Sequence, residues 1–222
     1  LNTVADINEI YFRNDDNGYL VAGRKMFVTK DAGKSWREAL IVNPNEFKDG
    51  IPEFYSIRFN SKKQGFIIGA ILDKGDEDVV IGSLLMRTTD GGESWSRIMV
   101  PTKVELIHLD FEGKSHGWIV GDMGTILATT NSGGTWTVQK SGSKEVLRNV
   151  DFRNDNEGFV VGDKFGKQGD PEQHRKDPER PIGAAVAGEV APAALVQGGQ
   201  GHQPSLRAKS MRGSTSTYST SD

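Results

Sequence analysis

The chain has 222 residues, 36% of them hydrophobic, with 27 glycines and a formal net charge of −3. Its length allows one domain with a sizeable core. The mild acidity, with a pI near 5.9, gives no electrostatic ground for binding nucleic acid or an anionic membrane. Zero cysteines exclude a disulfide framework, a thiol nucleophile and a thiolate metal site, and no apolar run reaches the roughly 20 residues of a membrane span.

The N-terminus, Leu1, carries no charged-then-apolar leader, as expected if a leader has been removed or if the chain starts inside a longer protein. Four related units then follow in order. They read FRNDDNGYLVAG at 12–23, FNSKKQGFIIG at 59–69, FEGKSHGWIVGD at 111–122 and FRNDNEGFVVGD at 152–163. In each, a Phe precedes a Gly by six residues: Phe12 and Gly18, Phe59 and Gly65, Phe111 and Gly117, Phe152 and Gly158. A large aromatic follows each Gly: Tyr19, Phe66, Trp118 and Phe159. Successive Phe markers lie 47, 52 and 41 residues apart. The second unit is lengthened by ILDKGDEDVVIGSL, and without that insertion the period is about 40 to 45, one four-stranded propeller blade.

The third unit shows the local pattern most clearly. LIHLDF alternates apolar and polar with a period near two, EGKSH is a turn holding His116, and GWIVG is a short apolar run bounded by glycines, as in a buried strand. GTILATT is a third strand, NSGG a turn, and TWTVQK the outer strand. No segment carries a helical apolar period over three turns.

Between third and fourth strands lies a second recurring element: TKDAGKSW at 29–36, TTDGGESW at 88–95 and TTNSGGTW at 129–136. Asp31, Asp90 and Asn131 stand where a strand must turn back. A short side-chain oxygen there is expected to bond backbone N–H groups two residues on. Gly33, Gly92 and Gly133 supply a dihedral that other residues reach at a cost. Ser35, Ser94 and Thr135 can close the turn through a hydroxyl, Thr29, Thr88 and Thr129 open it, and Trp36, Trp95 and Trp136 fold beneath it. A turn is needed in every blade and a catalytic site once, so repetition marks scaffold.

These boxes resemble the Asp-box, or BNR repeat, of β-propellers. GWIVGDMGTILATTNSGGTWTVQKSGS is more specifically similar to the repeat of the photosystem II assembly and stability factor family, over residues 4 to about 166. The resemblance implies an all-β partial propeller of about three and a half blades. It implies a non-enzymatic binding scaffold for protein partners in complex assembly, and an extracytoplasmic site such as periplasm, thylakoid lumen or the exterior. It implies no cofactor.

BNR boxes also occur on sialidases, so the alternative is a fragment of a carbohydrate-active propeller whose catalytic residues lie in blades not present. Arg13 and Arg153 occupy one repeat slot, and no paired-carboxylate site is legible. DKGDED at 73–78 departs from calcium-loop spacing and lacks its final Glu. Asp73, Asp76, Glu77 and Asp78 are therefore expected to form a solvated acidic loop, with a role as an interaction loop to be tested. His108, His116, His174 and His202 show no metal-ligand spacing and no evident acid partner.

A fourth box is due with its Trp at 177, where the chain has Asp177. From Lys167 to Asp222 there is no Trp or Phe and no strand-like alternation. The expectation is two regions: 1–166, an incomplete propeller, and 167–222, a disordered low-complexity tail, either natural or read out of frame. An open array also leaves strand edges that invite self-association.

Overall fold

The computed structural model describes residues 6–39, 44–48, 50–154, 157–163 and 188–189. Four antiparallel sheets follow one another in the chain. The first holds β1 (Ile7–Phe12), β2 (Gly18–Ala22), β3 (Lys25–Thr29) and β4 (Arg37–Ala39). The second holds β5 (Ile51–Phe59), β6 (Gly65–Leu72), β7 (Val80–Thr88) and β8 (Ser96–Arg97). The third holds β9 (Leu106–Glu112), β10 (His116–Gly121), β11 (Ile126–Thr129) and β12 (Thr137–Gln139). The fourth holds β13 (Leu147–Asn154), β14 (Glu157–Gly162) and β15 (Gly188–Glu189). Each sheet is a meander in sequence order, and the first strands of successive sheets lie side by side. This is the arrangement of blades in a β-propeller. His116, expected in a turn, is the first residue of β10. Gly188–Glu189 falls in the stretch read as a tail and pairs with Phe159 and Val160; the rest of 167–222 lies outside the described residues.

The second strands of the first three sheets are the most buried. β2 and β6 are buried along their whole length, and β10 from its second residue, so they read as unbroken apolar runs. The fourth strands β4 and β12 carry mostly exposed side chains. The apolar mass therefore sits between the blades. Tyr19, Val21, Met26, Phe54, Ile57 and Phe59 are the heart of the first interface. Phe66, Ile68, Leu85, Leu106, Leu109 and Trp136 fill the second, and Trp118, Val120, Leu147, Val150 and Phe152 the third.

The six-residue Phe-to-Gly spacing is a cross-strand pair. Phe12 faces Gly18, Phe59 faces Gly65, Phe111 faces Gly117 and Phe152 faces Gly158. Each ring lies over its glycine, so a Cβ at Gly65 would stand 2.6 Å from the Phe59 ring and one at Gly117 2.5 Å from Phe111. The same rings join the blades. Tyr19 stacks on Phe59, Phe66 on Phe111, and Trp118 on Phe152 with ring planes 6° apart. Within the blades the box indoles meet the same Phe edge-on, in the pairs Phe12–Trp36, Phe59–Trp95 and Phe111–Trp136. Phe59 and Phe111 thus each tie the hairpin, the sheet and the preceding blade together.

Candidate functional site

The boxes form the hairpins β3–β4, β7–β8 and β11–β12. In the first, the Thr29 hydroxyl donates to Asp31 Oδ1 at 2.7 Å and accepts the Gly33 amide at 2.9 Å. Asp31 Oδ1 accepts the Ser35 amide at 2.9 Å, and the Ser35 hydroxyl donates to Asp31 Oδ2 at 2.5 Å. Thr88, Asp90, Gly92 and Ser94 repeat this geometry. The acid therefore bonds the amide four residues on, and the threonine hydroxyl holds the nearer amides, because the chain passes through two successive left-handed residues. These are Ala32 and Gly33, Gly91 and Gly92, and Ser132 and Gly133. The sequence reading anticipated only the second of each pair.

The third box reverses one bond. Asn131 Oδ1 still accepts the Thr135 amide, at 2.9 Å, but its amide nitrogen donates to the Thr135 hydroxyl at 3.0 Å. A hydroxyl can serve as donor or acceptor, so the turn survives the exchange of acid for amide. The Asp31 carboxyl is held down at about 2, first by the Ser35 hydroxyl and then by the Ser35 amide. Asp90 is lowered further, led by the Ser94 hydroxyl. Both carboxylates spend their oxygens inside their own turns. Trp136 is buried, and Trp36 and Trp95 are half-buried.

The insertion in the second blade is a continuation of the β6–β7 hairpin, with DKGDED at its tip. Asp73 Oδ1 accepts the Gly75 and Asp76 amides at 2.7 and 3.2 Å, and Asp76 Oδ1 accepts the Asp78 amide at 3.1 Å. Glu77 pairs with Arg24 of the first blade. No group of three His, Cys, Asp or Glu side chains among the described residues is placed to hold a metal ion.

A different set of residues converges at the inner strands, and the sequence reading missed it. Each inner strand carries a bulge in the same slot. Asn8 is skipped between the pairs Ile7–Ala22 and Glu9–Val21, and Tyr55 between Phe54–Gly69 and Ser56–Ile68. Ile107 is skipped between Leu106–Gly121 and His108–Val120, and Arg148 between Leu147–Gly162 and Asn149–Val161. A bulge re-aims a side chain away from the ladder. These four line one cavity of about 320 Å³ together with Glu9, Glu105 and His108. The second glycine of the GFIIG, GWIVG and GFVVG runs makes room for the bulge. A Cβ at Gly69 would lie 1.8 Å from the Glu53 carbonyl oxygen, at Gly121 2.1 Å from that of Glu105, and at Gly162 2.5 Å from that of Val146.

Around the cavity, Tyr55 donates its hydroxyl to Glu53 at 3.0 Å. Burial first, then the carboxylates of Glu105 and Glu53, push that phenol far above its usual range. Arg148 forks onto Asp163 with bonds of 2.9 and 2.7 Å. Glu9 binds the Arg58 guanidinium at 2.5 Å and accepts the Ile57 amide at 2.7 Å. His108, expected to have no acid partner, has its Nε2 3.9 Å from Glu9 and 3.1 Å from Arg58, while Nδ1 faces the Val150 amide at 3.3 Å. Both close neighbours of the ring are donors, and an imidazolium has no lone pair for either. Burial, and after it the Arg58 charge, hold His108 below the usual histidine range. Comparing the four inner strands slot by slot could have found this site: Asn8, Tyr55, Ile107 and Arg148 differ in kind while their neighbours agree.

A family model described as photosynthesis system II assembly factor YCF48 matches residues 1–105 and 95–165. The photosystem II assembly lipoprotein Ycf48 of Synechococcus sp. (strain CC9902) is 27% identical over 131 residues, 57% of this chain and 34% of that protein. This chain thus spans about a third of that relative's length. The solved structure of YCF48 bound to D1 peptide superposes with a TM-score of 0.53 at 23% identity, covering 75% of this chain and 52% of that one. The GH74 enzyme of Niastella koreensis superposes with a TM-score of 0.56 at 14% identity, covering 83% and 28%. Both structural likenesses are likenesses of fold.

Proposed function

The chain belongs to the photosystem II assembly factor YCF48 family, and we propose that it acts as a non-enzymatic binding scaffold in the assembly of a protein complex. The observation that carries this reading is the row of four bulges, which offers Asn8, Tyr55, Ile107 and Arg148 to one cavity from four different strands. Such a set combines an amide, an aromatic, an aliphatic and a cationic side chain, the mixture that grips an extended peptide through several weak contacts. The boxes, by this reading, are scaffold that fixes where the bulges stand. The acidic hairpin tip at Asp73, Asp76, Glu77 and Asp78 is a secondary interaction surface. An extracytoplasmic location accords with a relative named as a lipoprotein.

A D1 peptide is the ligand to try first, since a YCF48 structure holds one. Calorimetric titration into the full chain should show binding that Tyr55→Ala and Arg148→Glu each weaken by roughly tenfold or more. Lys34→Ala, on the exposed turn of the first box, should leave it unchanged. Binding indifferent to both cavity variants would remove the bulge row from the role.

One observation favours a second reading, a hydrolytic propeller: Glu53 and Glu105 both face the Tyr55 phenol beside the cavity. Against it, Arg148 is the one arginine of the cavity lining and is already paired with Asp163. Release of the aryl group from aryl glycosides, lost in Glu105→Gln, would support hydrolysis over binding.

A further inference from the structure

The outer edge of the second blade stays open where the first and third blades close theirs. β4 pairs with three of the five residues of β3, and β12 with three of the four of β11. β8 pairs with Met86 and Arg87 alone among the nine residues of β7, and the Ile98 amide adds one bond to the Leu85 carbonyl. Backbone groups alternate in direction along a strand, so the N–H and C=O of Ser83 point outward like those of Leu85. Among the described residues they meet no backbone partner on that side. β6, β7 and the segments 73–79 and 98–105 all lie within the described residues, and this blade has a neighbour on either side, so no chain end makes the edge.

The edge is the floor of a groove of about 470 Å³. Phe47 and Ile71 line it from the cluster shared with the first blade, Ile98 and Val100 from the cluster shared with the third. Ile81 is skipped between the pairs Leu72–Val80 and Ile71–Gly82, which turns its side chain out of the ladder. It is 37% exposed, Val79 beside it 43%, and Met99 at the rim 79%. Exposed edges are commonly blunted by charges or proline, yet Val80 to Met86 carry neither. Beyond Val80 the edge runs into the hairpin tip. Even with Glu77 paired to Arg24, three carboxylates stand there against Lys74, whose ammonium is bound to the Lys48 carbonyl.

We infer that an extended segment of a protein partner adds to the outer edge of β7 as a further strand, in line with β8. Two features specify this occupant. Unpaired strand backbone is satisfied by strand backbone, with alternate side chains filling the groove beside it. The acidic tip calls for basic residues at one end. A segment antiparallel to β7, as β8 is, brings its C-terminal end to the tip, so its basic residues follow its apolar ones. This rests on the scaffold reading but uses another surface, since the groove shares no lining residue with the bulge cavity.

The probe is the capped peptide Thr-Val-Thr-Val-Thr-Lys-Lys, titrated into the isotope-labelled full chain and followed through the amide resonances. Saturable shifts are expected at Ser83 and Leu85, with slower hydrogen exchange at Ser83. Two further peptides carry N-methyl groups, one on its valine amides and one on its threonine amides. Only one set of amides can face β7, so one of the two should bind roughly tenfold or more weakly while the other keeps its affinity. Ile81→Lys and Met99→Glu, both at exposed positions, should each weaken binding roughly tenfold with unfolding midpoints unchanged. Exchanging the two lysines of the peptide for glutamates should weaken it roughly threefold or more at low salt. Absence of saturable binding overturns the strand-addition proposal, as does equal binding of both methylated peptides. Loss of binding in Tyr55→Ala would put the peptide in the bulge cavity and overturn it too. The D1 peptide should bind Ile81→Lys as it binds the parent chain, so either reading can fail without the other.

Discussion

The boxes and the bulges are both repeated in the blades, and they use repetition in opposite ways. Each box repeats its residues as well as its backbone: Thr, Asp or Asn, Gly, and Ser or Thr recur because each completes a bond inside the same turn. The bulge repeats its backbone alone, and the residue on it changes from Asn8 to Tyr55, Ile107 and Arg148. A group whose partners are local is held by them. A group lifted out of the ladder takes a different partner in each blade: Asn8 donates to the Phe54 carbonyl, Tyr55 to Glu53 and Arg148 to Asp163, all at the rim of one cavity.

That contrast can be broken at the glycines opposite the bulges. Gly121→Ala sets a Cβ 2.1 Å from the Glu105 carbonyl oxygen, where backbone has to yield. The expected cost is about 3 kcal/mol, at the upper end of overpacking effects, in a urea titration. Trp136→Ala should cost about 3–5 kcal/mol through its buried contacts with Phe66 and Phe111. Asp76→Ala on the hairpin tip should stay within about 0.5 kcal/mol. Equal midpoints for these last two would contradict the placement of both.

Milder changes sharpen the picture. Thr88→Val removes the acceptor of the Gly92 amide and a donor to Asp90 while keeping the shape, and should cost about 1–2 kcal/mol in the same titration.

Acid titration separates the boxes from the inner strands. Asp31 is depressed from its ordinary 3.8 to about 2. Its carboxylate therefore contributes stability above about pH 4, and that stability is lost as pH falls from there through about 2. Asp90 acts in the same direction. Asp31→Asn, which copies the third box, should flatten this acid limb with little change at neutral pH. His108 is also depressed, below 6.5, and being a base it favours the neutral fold. Its contribution is full above pH 6.5 and falls away as pH drops below that value. His108→Gln should remove this step, read from thermal midpoints as pH is lowered from about 7.

Much of the scaffold was legible in the residues, since it is made of local bonds at fixed spacing. The TTDGGESW turn, the Phe59–Gly65 spacing and the GFIIG run each carry their geometry within a few positions. The bulges leave a trace in the apolar pattern, since Leu106 and Leu109, or Leu147 and Val150, share one face although they stand three residues apart, but in a single strand this slip reads as irregular alternation. What decides the skip is a close approach between Gly69 and the Glu53 carbonyl, distant partners in the chain. The DKGDED tip marks a loop in the sequence, and the flanking IIGAIL and VVIGSL runs pair as strands that carry it. His108 escaped notice for the same reason as the bulges: Glu9 and Arg58 reach it from other blades.

The apolar mass lies between blades, with no common centre, and this shapes how the molecule comes apart. An array joined only by nearest-neighbour faces behaves like a one-dimensional chain of coupled spins. Each interface carries its own apolar cluster, so amide exchange should be slower in the buried β6 and β10 than in the exposed β4 and β12, and different probes along the chain should report different midpoints.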